Sequence, residues 1–145
     1  MSVFKHVTSD FAVSAQISVE DVARAAAAGF RTIVNNRPEG EAASQTPGAE
    51  IAAAAAAHGL EYRALPYSSG PPPPGVVSAT AALLQAGAGP ILAYCRTGSR
   101  SVFAWATAQA LEGALSPDEI IAKAAEAGYD IRGARGALEG LAPKP

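Results

Sequence analysis

Ile91-Leu92-Ala93-Tyr94-Cys95-Arg96-Thr97-Gly98-Ser99-Arg100-Ser101 is the stretch on which the reading of the chain turns. A short apolar run ends at Cys95, the only cysteine present, and is followed by small and cationic residues. A segment of helical composition then runs from Ser101 to Leu111. That order predicts a strand, an anion-binding loop and a helix. Backbone N–H groups of such a loop converge on its centre, the helix N-terminus adds partial positive charge, and Arg96 and Arg100 add full charges. A thiol in those surroundings is expected as thiolate, the nucleophilic form of cysteine. A lone cysteine is more often a small buried hydrophobe, but a core cysteine has no need of Gly98 three residues on or Arg100 five residues on. The expectation is a nucleophilic Cys95 acting on an oxyanion.

Composition narrows the setting. The 145 residues are expected to form one domain spanning residues 1–145, large enough to bury roughly two-thirds of the unfolded chain's surface. A net charge of −2 provides no field for nucleic acid or an anionic membrane. One cysteine forms no internal disulfide and is too few for a cysteine-based zinc site, so neither metal nor cofactor is expected. With no signal-type N-terminus and no apolar run near ~18 residues, the expected location is cytoplasmic. The abundant alanine reads as a composition bias confined to helical blocks.

From the N-terminus, Val3 to Val7 and Phe11 to Val13 read as a hairpin turning at Thr8-Ser9-Asp10. Ser18, with an acid at Asp21, opens a helix that Gly29 ends. Phe30 to Val34 is a buried strand, Asn35 to Gly48 a polar loop, and Pro47 starts a helix that closes at His58-Gly59. Leu60 to Leu65 is the next strand. Pro66 to Gly75 is too rich in proline for helix or central strand and is expected as a surface segment. Helices are expected from Val76 to Gln85, from Ser101 to about Glu112, and from the capping box Ser116-Pro117-Asp118-Glu119 to Ala127. A last helix, loosened by Gly133 and Gly136, covers Arg132 to Leu141. Strands alternating with helices predict an α/β three-layer sandwich, a mostly parallel central sheet flanked by helices. Ligands then bind outside the carboxyl ends of the strands, which makes Asn35 to Glu41 and Pro66 to Gly75 the walls over Cys95.

Tyr94 to Ser101 resembles the phosphate-binding loop of the cysteine-dependent tyrosine and dual-specificity phosphatases, and equally the active loop of the rhodanese sulfurtransferases. The whole chain is similar to the small bacterial family of beta-lactamase-hydrolase-like, phosphatase-like domains. Ala15 to Ser18, Gly29 to Glu41, Leu92 to Ser101 and Ala127 to Asp130 carry that likeness. It implies a dual-specificity (tyrosine) phosphatase fold. Phosphatase loops of this kind place arginine six residues after cysteine, and rhodanese loops often five. Here Arg100 is fifth and Ser101 occupies the sixth position. Phosphatases also use an aspartate as general acid on the loop before the catalytic one, yet Pro66 to Gly75 contains no acid. Glu39 and Glu41 are the nearest carboxylates.

Both departures point to sulfur transfer: Cys95 takes a sulfur from thiosulfate or a small persulfide and passes it on. The alternative is a phosphatase acting on phosphate monoesters through a Cys95 phospho-thiol intermediate. In either case the partner is a small-molecule oxyanion or persulfide. Cys95 and Arg100 are the expected catalytic residues, with Arg100 on the oxyanion. Arg96, Thr97, Gly98 and Ser99 belong to the binding loop, and Ser101 is expected to donate a hydrogen bond to the sulfur. Arg37 either reaches the anion or pairs with its neighbouring glutamates. Tyr67 is read as an exposed residue at the pocket lip, Tyr94 and Trp105 as core, and His58 as a helix-end residue.

Overall fold

The structure, a computed structural model, describes residues 2–144. Two strands, β1 (Lys5–Thr8) and β2 (Phe11–Ser14), form the expected antiparallel hairpin. The hairpin begins later than the sequence suggests, since Val3 is exposed and pairing starts at Lys5. There follow α1 (Val19–Ala27), β3 (Thr32–Asn35), α2 (Gly48–Ala57), β4 (Glu61–Ala64) and α3 (Pro74–Gln85). The chain continues through β5 (Ile91–Tyr94), α4 (Ser99–Glu112), α5 (Pro117–Glu126), a 3-10 turn at Arg132–Ala134 and α6 (Arg135–Leu141). The single helix expected over Arg132 to Leu141 is thus divided into two pieces, in a stretch where Gly133 and Gly136 offer little helical preference.

The five strands lie in the order β1-β2-β5-β3-β4, with every pair beyond the hairpin parallel. Alternation along β5 divides the core. Ile91 and Ala93 face a cluster with Phe11, Val34, Trp105, Ile120 and Leu138, while Leu92 and Tyr94 face Val22, Ala25, Ile33, Ile51 and Ala55. Helices therefore cover both faces, α1 and α2 on one side and α4 to α6 on the other, which is the three-layer sandwich expected. Ala104, Ala106, Ala108 and Ala110 of α4 are all buried, so its alanines serve close packing as well as helix propensity. Trp105, fully buried on α4, packs against Phe11 with ring centroids 6.4 Å apart.

Local signals place the helix starts. Ser18 and Asp21 form a reciprocal capping box on α1, and Ser116 and Glu119 do the same on α5. Asp21 is 3% exposed. Its carboxylate accepts from the Ser18 amide at 2.9 Å and from Arg24 Nη1 at 2.7 Å. Burial works against the charge, but the donors from Ser18, Arg24 and Ser2 outweigh it, and the carboxyl ionises below its ordinary value.

Asp21→Ala removes the carboxylate half of the capping box and leaves the Arg24 guanidinium without its carboxylate, so denaturant unfolding should show a loss of about 1–3 kcal/mol. The folded-state shift is downward, so this stability is present above the unfolded carboxylate's value and disappears as pH falls through the lower folded one. The wild type should lose part of its stability in that acid window, and Asp21→Ala should lose correspondingly less.

Candidate active site

Cys95 follows the central strand β5 directly, and the sheet's ladder continues past it. Its amide donates to Ser14 O at 3.4 Å, and the Asn36 amide donates to Tyr94 O at 2.8 Å. The sulfur is thus fixed between the ends of β2 and β3 at the carboxyl edge of the sheet. Cys95 is fully buried. The Gly98 amide donates to its Sγ at 3.1 Å. The sequence assigned that donor role to Ser101, but the Ser101 hydroxyl donates instead to Asn36 Oδ1 at 2.8 Å. The reason is the start of α4, at Ser99 rather than Ser101, which turns Ser101 into the first helical turn and into the core.

Gly98 is the N-cap of α4, with φ at +94°. A side chain there would be strained in the backbone and would also collide with the Tyr129 hydroxyl. That hydroxyl donates to Thr97 O at 2.9 Å, so the glycine allows α5's exit segment to brace the loop. Val102 N donates to Gly98 O; of the first-turn amides without intrahelical acceptors, that of Ser99 donates to Thr97 Oγ1 at 3.4 Å, and those of Arg100 and Ser101 remain. These N–H groups and the helix dipole make the position over Cys95 favourable for an anion. Thr97 and Ser99 join their hydroxyls at 3.0 Å on the outer rim, and Arg96 is exposed there.

Arg100 has a more constrained place than its sequence position suggests. Its guanidinium grips Glu41 with both terminal nitrogens, each at 2.8 Å, and Nη1 also donates to Tyr67 O at 3.0 Å. Arg37 Nε donates to the same Glu41 carboxylate at 2.9 Å, and its Nη1 to Gln16 Oε1 at 3.0 Å. Of the two readings offered for Arg37, pairing with a glutamate is the one observed, and the residue is 4% exposed. Hydrogen bonds from Arg100, against opposition from burial and with help from Arg37, hold the Glu41 carboxyl at about 2. Glu41 and a charge at Cys95 in turn raise the ionisation of Arg100 further.

Both expected walls meet the loop. Glu41 comes from the segment after β3, and Tyr67 from the proline-rich segment after β4. Tyr67 is buried rather than exposed, with its hydroxyl donating to Arg100 O at 2.6 Å. Burial, together with the charge at Cys95, pushes its phenol ionisation up. Glu39 is committed elsewhere: its Oε1 accepts from the Gly48 amide at 2.8 Å, at the start of α2. Gln16, Asn36 and Tyr129 are the supports that sequence reading left without a role. Asn36 is fully buried, spanning Ser101 and Leu65 O. Their signal was weak because each acts by a long-range hydrogen bond and none has a chemically distinctive side chain. Tyr94 is core as expected, its hydroxyl buried.

The arrangement is that of a cysteine-dependent phosphatase-like protein. Residues 3–112 match the model of the beta-lactamase hydrolase-like protein, phosphatase-like domain. The chain belongs to that family. A beta-lactamase hydrolase-like protein of Agrobacterium fabrum is 28% identical over 127 residues, covering 88% of this chain and 30% of the relative. The chain therefore spans less than a third of that relative's length. A crystal structure from Neisseria meningitidis, of a protein assigned to the phosphatases, superposes with a TM-score of 0.80 at 30% identity, over 94% of this chain and 96% of that one. TpbA of P. aeruginosa, crystallised with phosphotyrosine, shares the fold at 17% identity with a TM-score of 0.61, over 95% of this chain and 86% of that one.

The Glu41 carboxylate occupies guanidinium donors that an oxyanion over Cys95 would use. Glu41→Gln removes a competing negative charge, and orthovanadate binding followed by calorimetry should tighten by about fivefold. Unchanged or weaker binding would show that Glu41 orients Arg100 without contesting the anion.

Proposed function

We propose that the chain is a cysteine-dependent phosphatase acting on phosphate esters whose leaving group departs with little or no protonation. The observation that carries this reading is Cys95 seated at the N-terminus of α4 with the Gly98 amide donating to its sulfur and Arg100 beside it. The Cys95 thiolate attacks phosphorus, an S–P bond forms as the ester P–O bond breaks, and the leaving oxygen takes the electron pair. Water then attacks phosphorus, the S–P bond returns its pair to sulfur, and inorganic phosphate departs. The loop amides and Arg100 oppose the charge on the phosphoryl oxygens throughout. Because Cys95 is buried, the phosphoryl group gains access by displacing side chains above the loop, and Glu41 is the one bonded to Arg100.

The carboxylates decide the kind of ester. In the resting site the two arginines hold the Glu41 carboxyl at about 2, so it carries no proton near neutrality when the ester arrives. Glu39 is held at the start of α2. A leaving group that is stable as an anion, such as a phenol, suits this site, and an unactivated alkoxide does not. The same absence supports a second reading, sulfur transfer from thiosulfate or a small persulfide, which needs no acid. Arg100 at the fifth position after Cys95 is the specific feature in its favour. Family membership and the phosphatase neighbours weigh on the other side.

Purified protein should hydrolyse an aryl phosphate with complete dependence on Cys95, tested with Cys95→Ser. Without a general acid, rates should fall by about 10²-fold or more from aryl to alkyl phosphates, the range such an acid normally supplies. Glu41→Gln should not remove an acid-base limb from the pH profile. A stable adduct of about 32 Da on Cys95 after thiosulfate, absent in Cys95→Ala and discharged by cyanide, with no aryl phosphate turnover, would replace this reading with sulfur transfer.

A further inference from the structure

β4 lies at the edge of the sheet, with β3 on one side and no strand on the other. The Glu61 amide donates to Arg31 O at 3.0 Å and the Leu65 amide to Asn35 O at 2.9 Å, so the odd-numbered residues of this stretch turn their main-chain groups towards β3. Alternation along the strand then turns the amides and carbonyls of Tyr62 and Ala64 outwards, and among the described residues nothing pairs with them. The strand itself is held in place from behind, since the Tyr62 hydroxyl accepts from Asn35 Nδ2 at 3.0 Å. It is an open edge on a fixed support.

Charged side chains ordinarily close such an edge to neighbours. Glu61 and Arg63 do so only in part, because they are of opposite sign and, two residues apart, share one face of the strand. Their contact with each other is loose, 3.7 Å, with the side chains 68% and 57% exposed, so both are available to a further partner. In an antiparallel pairing with a second β4, a two-fold axis at Tyr62 sets the outward-turned Tyr62 opposite its own counterpart and each Glu61 opposite the other copy's Arg63. An axis at Arg63 would oppose the two arginines, an unfavourable cross-strand pair. An axis at Ala64 would bring Pro66, which has no amide, opposite Tyr62. Charge and main-chain orientation together select the Tyr62 register.

Beside this edge, on the face that carries Arg63, an apolar groove of about 330 Å³ runs between β4 and α3, lined by Leu65, Ala79, Ala82, Leu83 and Ala86 with Arg63 at its margin. α3 has no charged residue along its length, and Ala82 and Ala86 are exposed. A two-fold axis perpendicular to the sheet keeps this face on the same side in both copies, so α3 of one meets α3 of the other over the joined strands. We propose that β4 is a self-association edge: two copies of this chain pair antiparallel about Tyr62, exchange Glu61–Arg63 ion pairs and cover each other's groove, joining two five-stranded sheets into one. The strands of the two copies run in opposite directions, so their Cys95 loops face opposite ways and lie outside the interface.

Sedimentation equilibrium tests this directly. The interface is of the small, weakly associating kind, so the wild type should be dimeric at about 100 μM chain and dissociate on dilution. Arg63→Glu turns two cross-strand attractions into repulsions and should weaken the dimer by about tenfold. Combining it with Glu61→Arg exchanges the charges and should restore association, which a merely misfolded variant could not do. Ala82→Glu puts a carboxylate into the groove from an exposed position and should weaken the dimer with the strand charges untouched. Thermal unfolding of each variant checks that the fold is retained. A wild type that stays monomeric at that concentration, a dimer indifferent to both Arg63→Glu and Ala82→Glu, or a loss that the exchanged pair does not repair would overturn the proposal.

Discussion

One carboxylate, Glu41, ties together the segments that meet over Cys95. It accepts two hydrogen bonds from Arg100 on the helix side and one from Arg37 on its own loop. Arg37 continues the chain of bonds to Gln16, next to the β2 end, and Arg100 continues it to Tyr67 and Ser68 after β4. Two guanidinium groups held near each other in a partly buried space repel unless an anion lies between them. Glu41 is that anion in the resting state. The same logic makes the space receptive to an external oxyanion, because the cations persist when a competing anion arrives.

The scaffold under this network has few adjustable parts. β5 is flanked by parallel neighbours on both sides, so the position of Cys95 is set by main-chain hydrogen bonds from β2 and β3 rather than by a flexible tether. Gly98 then permits a left-handed turn that points its own amide at the sulfur and brings Tyr129 close. Asn36 and Ser101, both fully buried, lock the first turn of α4 to the segment after β3. Rigidity of this kind matters for an anion site, where donors must already be aimed before the charge arrives.

Chemistry at the site is shaped as much by what its carboxylates are doing as by the cysteine. Counting along the loop exposes the missing aspartate in the proline-rich wall, but it leaves Glu39 and Glu41 as open candidates. In the resting site Glu39 accepts a bond from the start of α2, and Glu41 is held ionised by two arginines. The spacing from Cys95 to Arg100 suggested sulfur transfer from sequence alone, while the family match and the fold favour phosphate chemistry. Spacing records how many residues separate two groups; it does not record that the guanidinium of Arg100 is turned towards Glu41.

Much of the fold was legible in the residues themselves, because its signals are local. The two capping boxes, the prolines that exclude regular structure, and the apolar run into Cys95 place each helix and strand within a few residues of where it lies. The alternation of those elements then leaves a parallel sheet as the economical topology. Errors occurred where the deciding force was not local. Tyr67 has the sequence context of an exposed lip residue and is buried because Arg100 O, 33 residues away, accepts its hydroxyl. Ser101 was expected on the sulfur and lies in the core because α4 begins two residues earlier. The sequence by itself determined the elements, their order and the nucleophile's loop, since these depend on propensity, period and a few distinctive residues. Only the tertiary structure decided which donor faces the sulfur and which carboxylate holds Arg100. Those outcomes depend on contacts between residues far apart in the chain, where pairing is settled by packing and charge balance that no local pattern contains.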